Sequence, residues 1–237
     1  MARGFPYGLL FEGFPVALKN TVVFDLDGTL IDTAPDLTAA MNHVLVQQKR
    51  PTLAEADVRH MVGYGARMLI RRGLSASGPE PSDAEIEDLM PAFLEFYGDH
   101  VADRSVPFPG MAEALDELAA TGASFAICTN KPEKLSVNLI QSLGLTERFP
   151  VIVGADTLPV RKPDPQPLFH AIERIGGTPE TTLYVGDSET DVKTARAAQI
   201  PIVVVDWGYT PVPAADLGGD RLISQFSELA AALRALS

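Results

Sequence analysis

The stretch TVVFDLDGTLID at residues 21–32 decides how the rest of the chain is read. It opens on a short run of β-branched and aromatic residues with no polar alternation, the pattern of a strand covered on both faces. It then breaks into Asp25-Leu26-Asp27-Gly28. In an open parallel sheet, ligands bind outside the carboxyl ends of the strands, so such an ending places acids where chemistry is done. Strand periodicity would put Asp25 and Asp27 on the same side.

Working outward, runs of the same character recur as SFAICT (124–129), PVIVG (150–154), TLYVGD (182–187) and PIVVVD (201–206). Helical patterns lie between them at 111–121, 132–144, 165–176 and 188–199, and a last one covers 223–235. Gly122, Gly144 and Gly176 fall just past helix ends, where a left-handed cap is wanted. Strand alternating with helix predicts an α/β fold, a doubly wound, Rossmann-like parallel sheet with right-handed crossovers. The rhythm fails between residues 33 and 107. Only helical patterns occur there, at 35–49, 54–61, 66–73 and 83–101, with a Gly/Pro/Ser loop at 75–82. An inserted α-helical cap is the economical reading. The expected organisation is a core of residues 20–32 and 108–237, a helical cap of 33–107, and a poorly ordered N-terminal extension of 1–19.

Charge and composition narrow the function. The chain has 237 residues, with 19 Lys+Arg against 31 Asp+Glu, for a formal charge of −12. That balance argues against nucleic acid, which needs a basic face for counterion release, and against an anionic membrane surface. The single cysteine, Cys128, excludes an internal disulfide framework and a multi-cysteine metal cluster. No run approaches the roughly 18 apolar residues of a membrane span. Pro6, Glu12 and Pro15 interrupt the apolar patches near the start, so no export signal is expected and the protein reads as cytoplasmic. A monomer and a homodimer are both compatible with the sequence.

Four strand ends carry polar groups to one rim: Asp25 to Thr29, Thr129-Asn130, Arg161-Lys162-Pro163-Asp164-Pro165, and Gly186-Asp187-Ser188-Glu189-Thr190-Asp191. Asp25, Asp27 and Asp187 would repel one another unless a cation lay between them, and oxygen-only ligands suit Mg²⁺. The metal and Lys162 together would gather enough positive charge to hold a phosphate. Thr129 and the free N–H groups after it can donate to its oxygens.

FDLDGTLID (24–32), CTN (128–130), RKPDP (161–165) and GDSETD (186–191), in that order, resemble the motifs of the haloacid-dehalogenase superfamily of phosphohydrolases. The helical insert is similar to that superfamily's small cap. Within it, VGYGARMLIRRGL (62–74), GADTLPVRKPDPQPL (154–168) and DWGYTP (206–211) look most like the phosphoglycolate phosphatase branch. The resemblance implies a Mg²⁺-dependent phosphomonoesterase acting on a small phosphorylated metabolite, 2-phosphoglycolate foremost. It implies that Asp25 attacks phosphorus and forms an aspartyl-phosphate, while Asp27 protonates the leaving alkoxide and then takes a proton from water. It further implies that Asp25 and Asp187 hold the metal by their carboxylates and Asp27 by its backbone carbonyl. Asp191 would orient the metal's waters, Thr129 and Asn130 bind phosphate oxygens, and Lys162 neutralise the nucleophile and the phosphate. Gly28 would permit the tight turn.

Other readings stay beside this one. A sugar-phosphate phosphatase and a β-phosphoglucomutase-like phosphomutase share the motifs, although Thr29 stands where the mutases tend to have valine. A silent phosphate-binding module is the reading from another class. Gly63-Tyr64-Gly65 reads as a cap loop over the substrate, since Met68 occupies the third glycine position of a nucleotide loop. Arg67 follows as the candidate reader of a substrate carboxylate, against a surface arginine paired with a neighbouring acid. Arg71 and Arg72 are weaker candidates, and His43, His60, His100 and His170 lack metal-ligand spacing. Asp32 is expected to cap the next helix or hinge the cap, Asp164 to fix its turn, and Cys128 to pack in the core.

Overall fold

The computed structural model describes residues 20–237, so the expectation for residues 1–19 lies outside the described residues. Strand β1 (Thr21–Phe24) leads through β2 (Ile31–Asp32) into four helices, α1 (Ala34–Gln47), α2 (Glu55–Arg59), α3 (Ala66–Ser77) and α4 (Asp83–Asp99). The chain returns through β3 (Val106–Pro107). It then alternates: α5 (Met111–Ala119), β4 (Ser124–Cys128), α6 (Glu133–Ser142), β5 (Val151–Val153), α7 (Gln166–Arg174) and β6 (Thr182–Gly186). Helix α8 (Glu189–Ala198), β7 (Ile202–Val205), β8 (Arg221–Ile223) and α9 (Leu229–Ala235) complete it.

The six-stranded sheet has the order β5-β4-β1-β6-β7-β8, and every pairing is parallel. From β1 the chain reaches β4 and moves outward to β5, then crosses back to β6 and moves outward to β8. The carboxyl end of β1 is therefore the point where strand order reverses, the place such sheets offer to a ligand.

Both faces are covered, which explains the continuous apolar runs. Val22 and Phe24 pack on one face with Met111 and Leu115 of α5 and Leu229 and Leu233 of α9. Val23 packs on the other with Leu168 and Ile172 of α7 and Ala195 of α8. The fold is the expected doubly wound α/β sheet with an inserted helical cap. Gly122, Gly144 and Gly176 all take positive φ after their helices.

The C-terminal end differs from the pattern. The strand β8 and a 3₁₀ turn at Phe226–Glu228 occupy part of the span read as one helix, and α9 starts only at Leu229. Of β8 only Ile223 is buried, so this edge strand leaves almost no apolar signature. Helix α3 also continues to Ser77, into the expected loop.

The cap is sewn on at both of its crossings. Strands β2 and β3 pair antiparallel, Ile31 with Pro107 and Asp32 with Val106. Asp36, in the first turn of α1, accepts the backbone N–H groups of Arg104 and Ser105 at 2.8–3.1 Å and the Ser105 hydroxyl at 2.7 Å. One buried carboxylate thus ties the outgoing helix to the returning chain. Met41, Leu45, Ile70 and Phe93 from α1, α3 and α4 join the same apolar cluster as the core. No helix among the described residues is long and apolar enough to cross a membrane.

Candidate active site

The last ladder bond of β1 positions the first aspartate. The Asp25 N–H donates to the Val185 carbonyl at 2.9 Å. Its carboxylate accepts the Leu26 N–H at 2.7 Å and lies 3.0 Å from Lys162 Nζ. Asp27 has already left the strand and bridges to Ile31 within the turn. Its Oδ1 accepts from Thr33 Oγ1 at 2.7 Å and from Lys131 Nζ at 2.9 Å. A turn, rather than strand periodicity, therefore brings the two aspartates to one cavity, and each meets its own lysine. Gly28 makes that turn with φ +84°, and a Cβ there would stand 2.6 Å from Asp187 Oδ2 and 2.9 Å from the Tyr209 ring. Handedness and space both require glycine.

Carboxylate oxygens of Asp25, Asp187 and Asp191 lie within 4.8 Å of one another, all buried. Asp187 follows β6 and accepts from Thr29 Oγ1 at 3.1 Å and the Tyr209 N–H at 2.7 Å. Asp191 stands in the first turn of α8, within a capping box closed by Ser188. Its Oδ1 accepts from Lys162 Nζ and the Tyr184 hydroxyl, each at 2.7 Å, and its Oδ2 from the Ser188 N–H and hydroxyl at 3.1 and 2.5 Å. Lys162 also meets the Tyr184 hydroxyl at 2.8 Å.

The charges in this cluster do not balance. Burial pushes Asp25 up to about 7; Lys162 opposes that shift, and Asp191 and Asp27 add to it. Burial, then the neighbouring Asp191 and Asp25, hold Asp187 well above the usual carboxylate range. Burial would raise Asp191 too, but Lys162, Ser188 and Tyr184 outweigh it and hold the group low. One ammonium among three buried carboxylates leaves negative charge that a divalent cation would neutralise. The oxygen-only donor set fits a hard cation such as Mg²⁺. Asp191 accepts two hydrogen bonds on each oxygen, whereas Asp187 accepts one on each, so Asp25 and Asp187 keep more acceptor capacity to bind one directly.

Thr129 and Asn130 follow β4. The Thr129 hydroxyl accepts the Lys131 N–H at 3.2 Å, and Asn130 Nδ2 donates to the Lys162 carbonyl at 3.2 Å. Asn130 Oδ1 is the one buried side-chain polar atom without a protein partner among the described residues. Both residues line a cavity of about 40 Å³ that reaches from Asp25 and Asp27 to the cap at Val62, Gly63, Leu69 and Tyr97. That is room for a water molecule or two.

Two residues in this region have no forecast in the sequence. Lys131 is buried, its Nζ bonded to Asp27 and to the Tyr97 hydroxyl and 4.3 Å from the Tyr97 ring centroid. Its position directly after the CTN segment was the available signal. Tyr209 accepts the backbone N–H groups of Thr33 and Ala34 at 2.7 and 3.0 Å and donates to Asp32 Oδ1 at 2.6 Å. Its backbone N–H holds Asp187, so one residue joins the carboxylate cluster to the start of the cap.

The remaining candidates take other positions. Arg67 is not brought to the cavity: it pairs with Asp83 at 3.2 Å and Glu87 at 3.0 Å, both on α4. Arg71 pairs with Glu80 and Asp83. Arg72 lies 4.2 Å over the Tyr64 ring. Asp32 stands in β2 at the junction of core and cap, held by Tyr209 and by Arg59 at 2.7 Å. Asp164 accepts the Gln166 N–H within its own turn. The Cys128 thiol is pushed up to about 12, chiefly by burial, which leaves it unreactive.

With this geometry in view, the sequence matches the haloacid dehalogenase-like hydrolase family over residues 22–205. A phosphoglycolate phosphatase of Mesorhizobium japonicum is 44% identical over 211 residues, covering 89% of this chain and 93% of the relative. One from Caulobacter vibrioides is 43% identical over 210 residues, covering 88% of each. The crystal structure of a predicted phosphoglycolate phosphatase from Haemophilus somnus matches with a TM-score of 0.84 and 29% identity. It covers 92% of this chain and 99% of that one.

Proposed function

The chain belongs to the haloacid dehalogenase-like hydrolases, and on that premise we propose that it is a divalent-cation-dependent phosphomonoesterase acting on 2-phosphoglycolate through a phosphorylated Asp25. The observation that carries this reading is the buried Asp25, Asp187 and Asp191 cluster, with Lys162 bonded to two of its members and Asp25 lining a cavity that it shares with Asp27.

An Asp25 carboxylate oxygen attacks phosphorus, and the bond from phosphorus to the leaving alkoxide breaks as the new bond forms. Asp27 gives the alkoxide its proton. In the second half, Asp27 takes a proton from a water that attacks the same phosphorus, which frees Asp25 and inorganic phosphate. Lys162 stays bonded to Asp25 and offsets charge there, Thr129 and Asn130 hold phosphate oxygens, and Asp191 keeps Lys162 in place. Mg²⁺, when bound by Asp25, Asp187 and the Asp27 carbonyl, supplies Lewis-acid stabilisation of the phosphoryl oxygens.

The cavity favours a small substrate. In this reading the cap lifts to admit the ester and settles again to exclude water. The cavity's cap walls at Val62, Leu69, Phe93 and Leu94 are apolar, and the one cap side-chain hydroxyl in the lining, that of Tyr97, is bonded to Lys131, which suits a sugar ring poorly.

The test is phosphate release from 2-phosphoglycolate against a panel of hexose and pentose phosphates. kcat/KM for 2-phosphoglycolate should lead by on the order of 100-fold, and chelation of divalent cations should abolish turnover of every ester. A sugar phosphate leading the panel would overturn the substrate, and full activity in excess chelator would overturn the metal.

A further inference from the structure

We propose that Lys131 is the specificity residue that binds an anionic group on the substrate's leaving portion. This rests on the phosphatase reading above and names the group that selects its substrate. A cation at the wall is the strongest single reader of a carboxylate in an apolar cavity. Among the described residues lining the cavity, Lys131 is the one with a cationic side chain. The cap arginines are engaged elsewhere: Arg67 and Arg71 with acids of α4 and its approach, and Arg72 with the Tyr64 ring and the His60 and Met61 carbonyls. Lys162, the other buried lysine, is occupied by Asp25, Asp191 and Tyr184.

The surroundings of Lys131 suit this task. Its side chain is 3% exposed and has one carboxylate partner, Asp27. An ammonium carries three N–H donors. Asp27 and the Tyr97 hydroxyl take two of them, which leaves one for a ligand. The Tyr97 ring lies against the same ammonium and fixes it from the cap side. A phosphate seated against Asp25 would have its ester oxygen near Asp27, the proposed proton donor. The atoms beyond that oxygen then lie beside the Asp27 partner, Lys131. For 2-phosphoglycolate those atoms end in a carboxylate two bonds away, a short reach.

The experiment compares 2-phosphoglycolate with 2-hydroxyethyl phosphate, in which a hydroxymethyl group replaces the carboxylate. The wild-type enzyme should favour the carboxylated ester in kcat/KM. In Lys131→Met the ratio between the two esters should fall by on the order of 100-fold, mainly through KM, and Lys131→Arg should recover part of it. An unchanged ratio, with both esters slowed alike, would reduce Lys131 to positioning Asp27 and overturn the proposal. So would a wild-type enzyme with no preference, a result that needs no folded variant. A wild-type enzyme that cleaves neither ester overturns 2-phosphoglycolate as the substrate, and this proposal with it.

Discussion

Two buried lysines, each followed by proline, face the two aspartates of the FDLDG turn from opposite environments. Lys162 is bonded to Asp25, Asp191 and Tyr184, all residues of the sheet and its connections. Lys131 is bonded to Asp27 and to Tyr97, and Tyr97 belongs to α4 of the cap. Each ammonium thus meets a tyrosine hydroxyl and at least one carboxylate (two for Lys162, one for Lys131), with the Tyr184 ring 5.6 Å from one and the Tyr97 ring 4.3 Å from the other. The difference lies in where the partners belong. Every one of these partners of Lys162 belongs to the core, so its charge is part of the rim. Lys131 spans the seam, taking Asp27 from the core and Tyr97 from the cap. Burial alone does not assign a role to a lysine; the element that owns its partners does.

Removing Lys162 should have the larger effect. Lys162→Met leaves Asp25 and Asp191 buried without their ammonium, which should destabilise the fold by roughly 3–5 kcal/mol. Phosphate release should fall on the order of 10³-fold for every ester, charged or neutral beyond the phosphate. Denaturant unfolding and a two-ester assay check both. A loss confined to the carboxylated ester would make the two lysines equivalent and dissolve the contrast.

Tyr97→Phe should have the smaller effect. It keeps the ring against Lys131 and removes one hydroxyl, so kcat/KM for 2-phosphoglycolate should drop by about five-fold. Steady-state kinetics decide it. A loss as large as that of Lys162→Met would mean that the seam carries the chemistry as much as the rim does.

The sheet was legible because both of its faces are covered, which turns TVVF, SFAIC and TLYVG into unbroken apolar runs. The rim was legible because the motif acids sit at the ends of those runs. What escaped depended on contacts between distant segments. Strands β2 and β3 are two residues each, too short for any periodicity. The Tyr209 hydroxyl meets Thr33 and Ala34 across more than 170 positions, and nothing local in DWGYTP announces it. Arg67 looked free to face a substrate because nothing near it in sequence pairs with it; α4 brings Asp83 and Glu87 to it in space. Lys131 left no local signal for the opposite reason, since a lysine after a loop asparagine is ordinarily solvated, and here Tyr97 of the cap covers it.

Asp25, buried and 3.0 Å from Lys162, is the group proposed to take the phosphoryl. Rapid quenching of the wild-type enzyme during turnover of 2-phosphoglycolate labelled at phosphorus, followed by peptide mapping, tests it directly. The label should appear on the peptide carrying Asp25 within the first turnover and decay as inorganic phosphate accumulates. Phosphate formed at the full rate with no labelled protein at any time would contradict it.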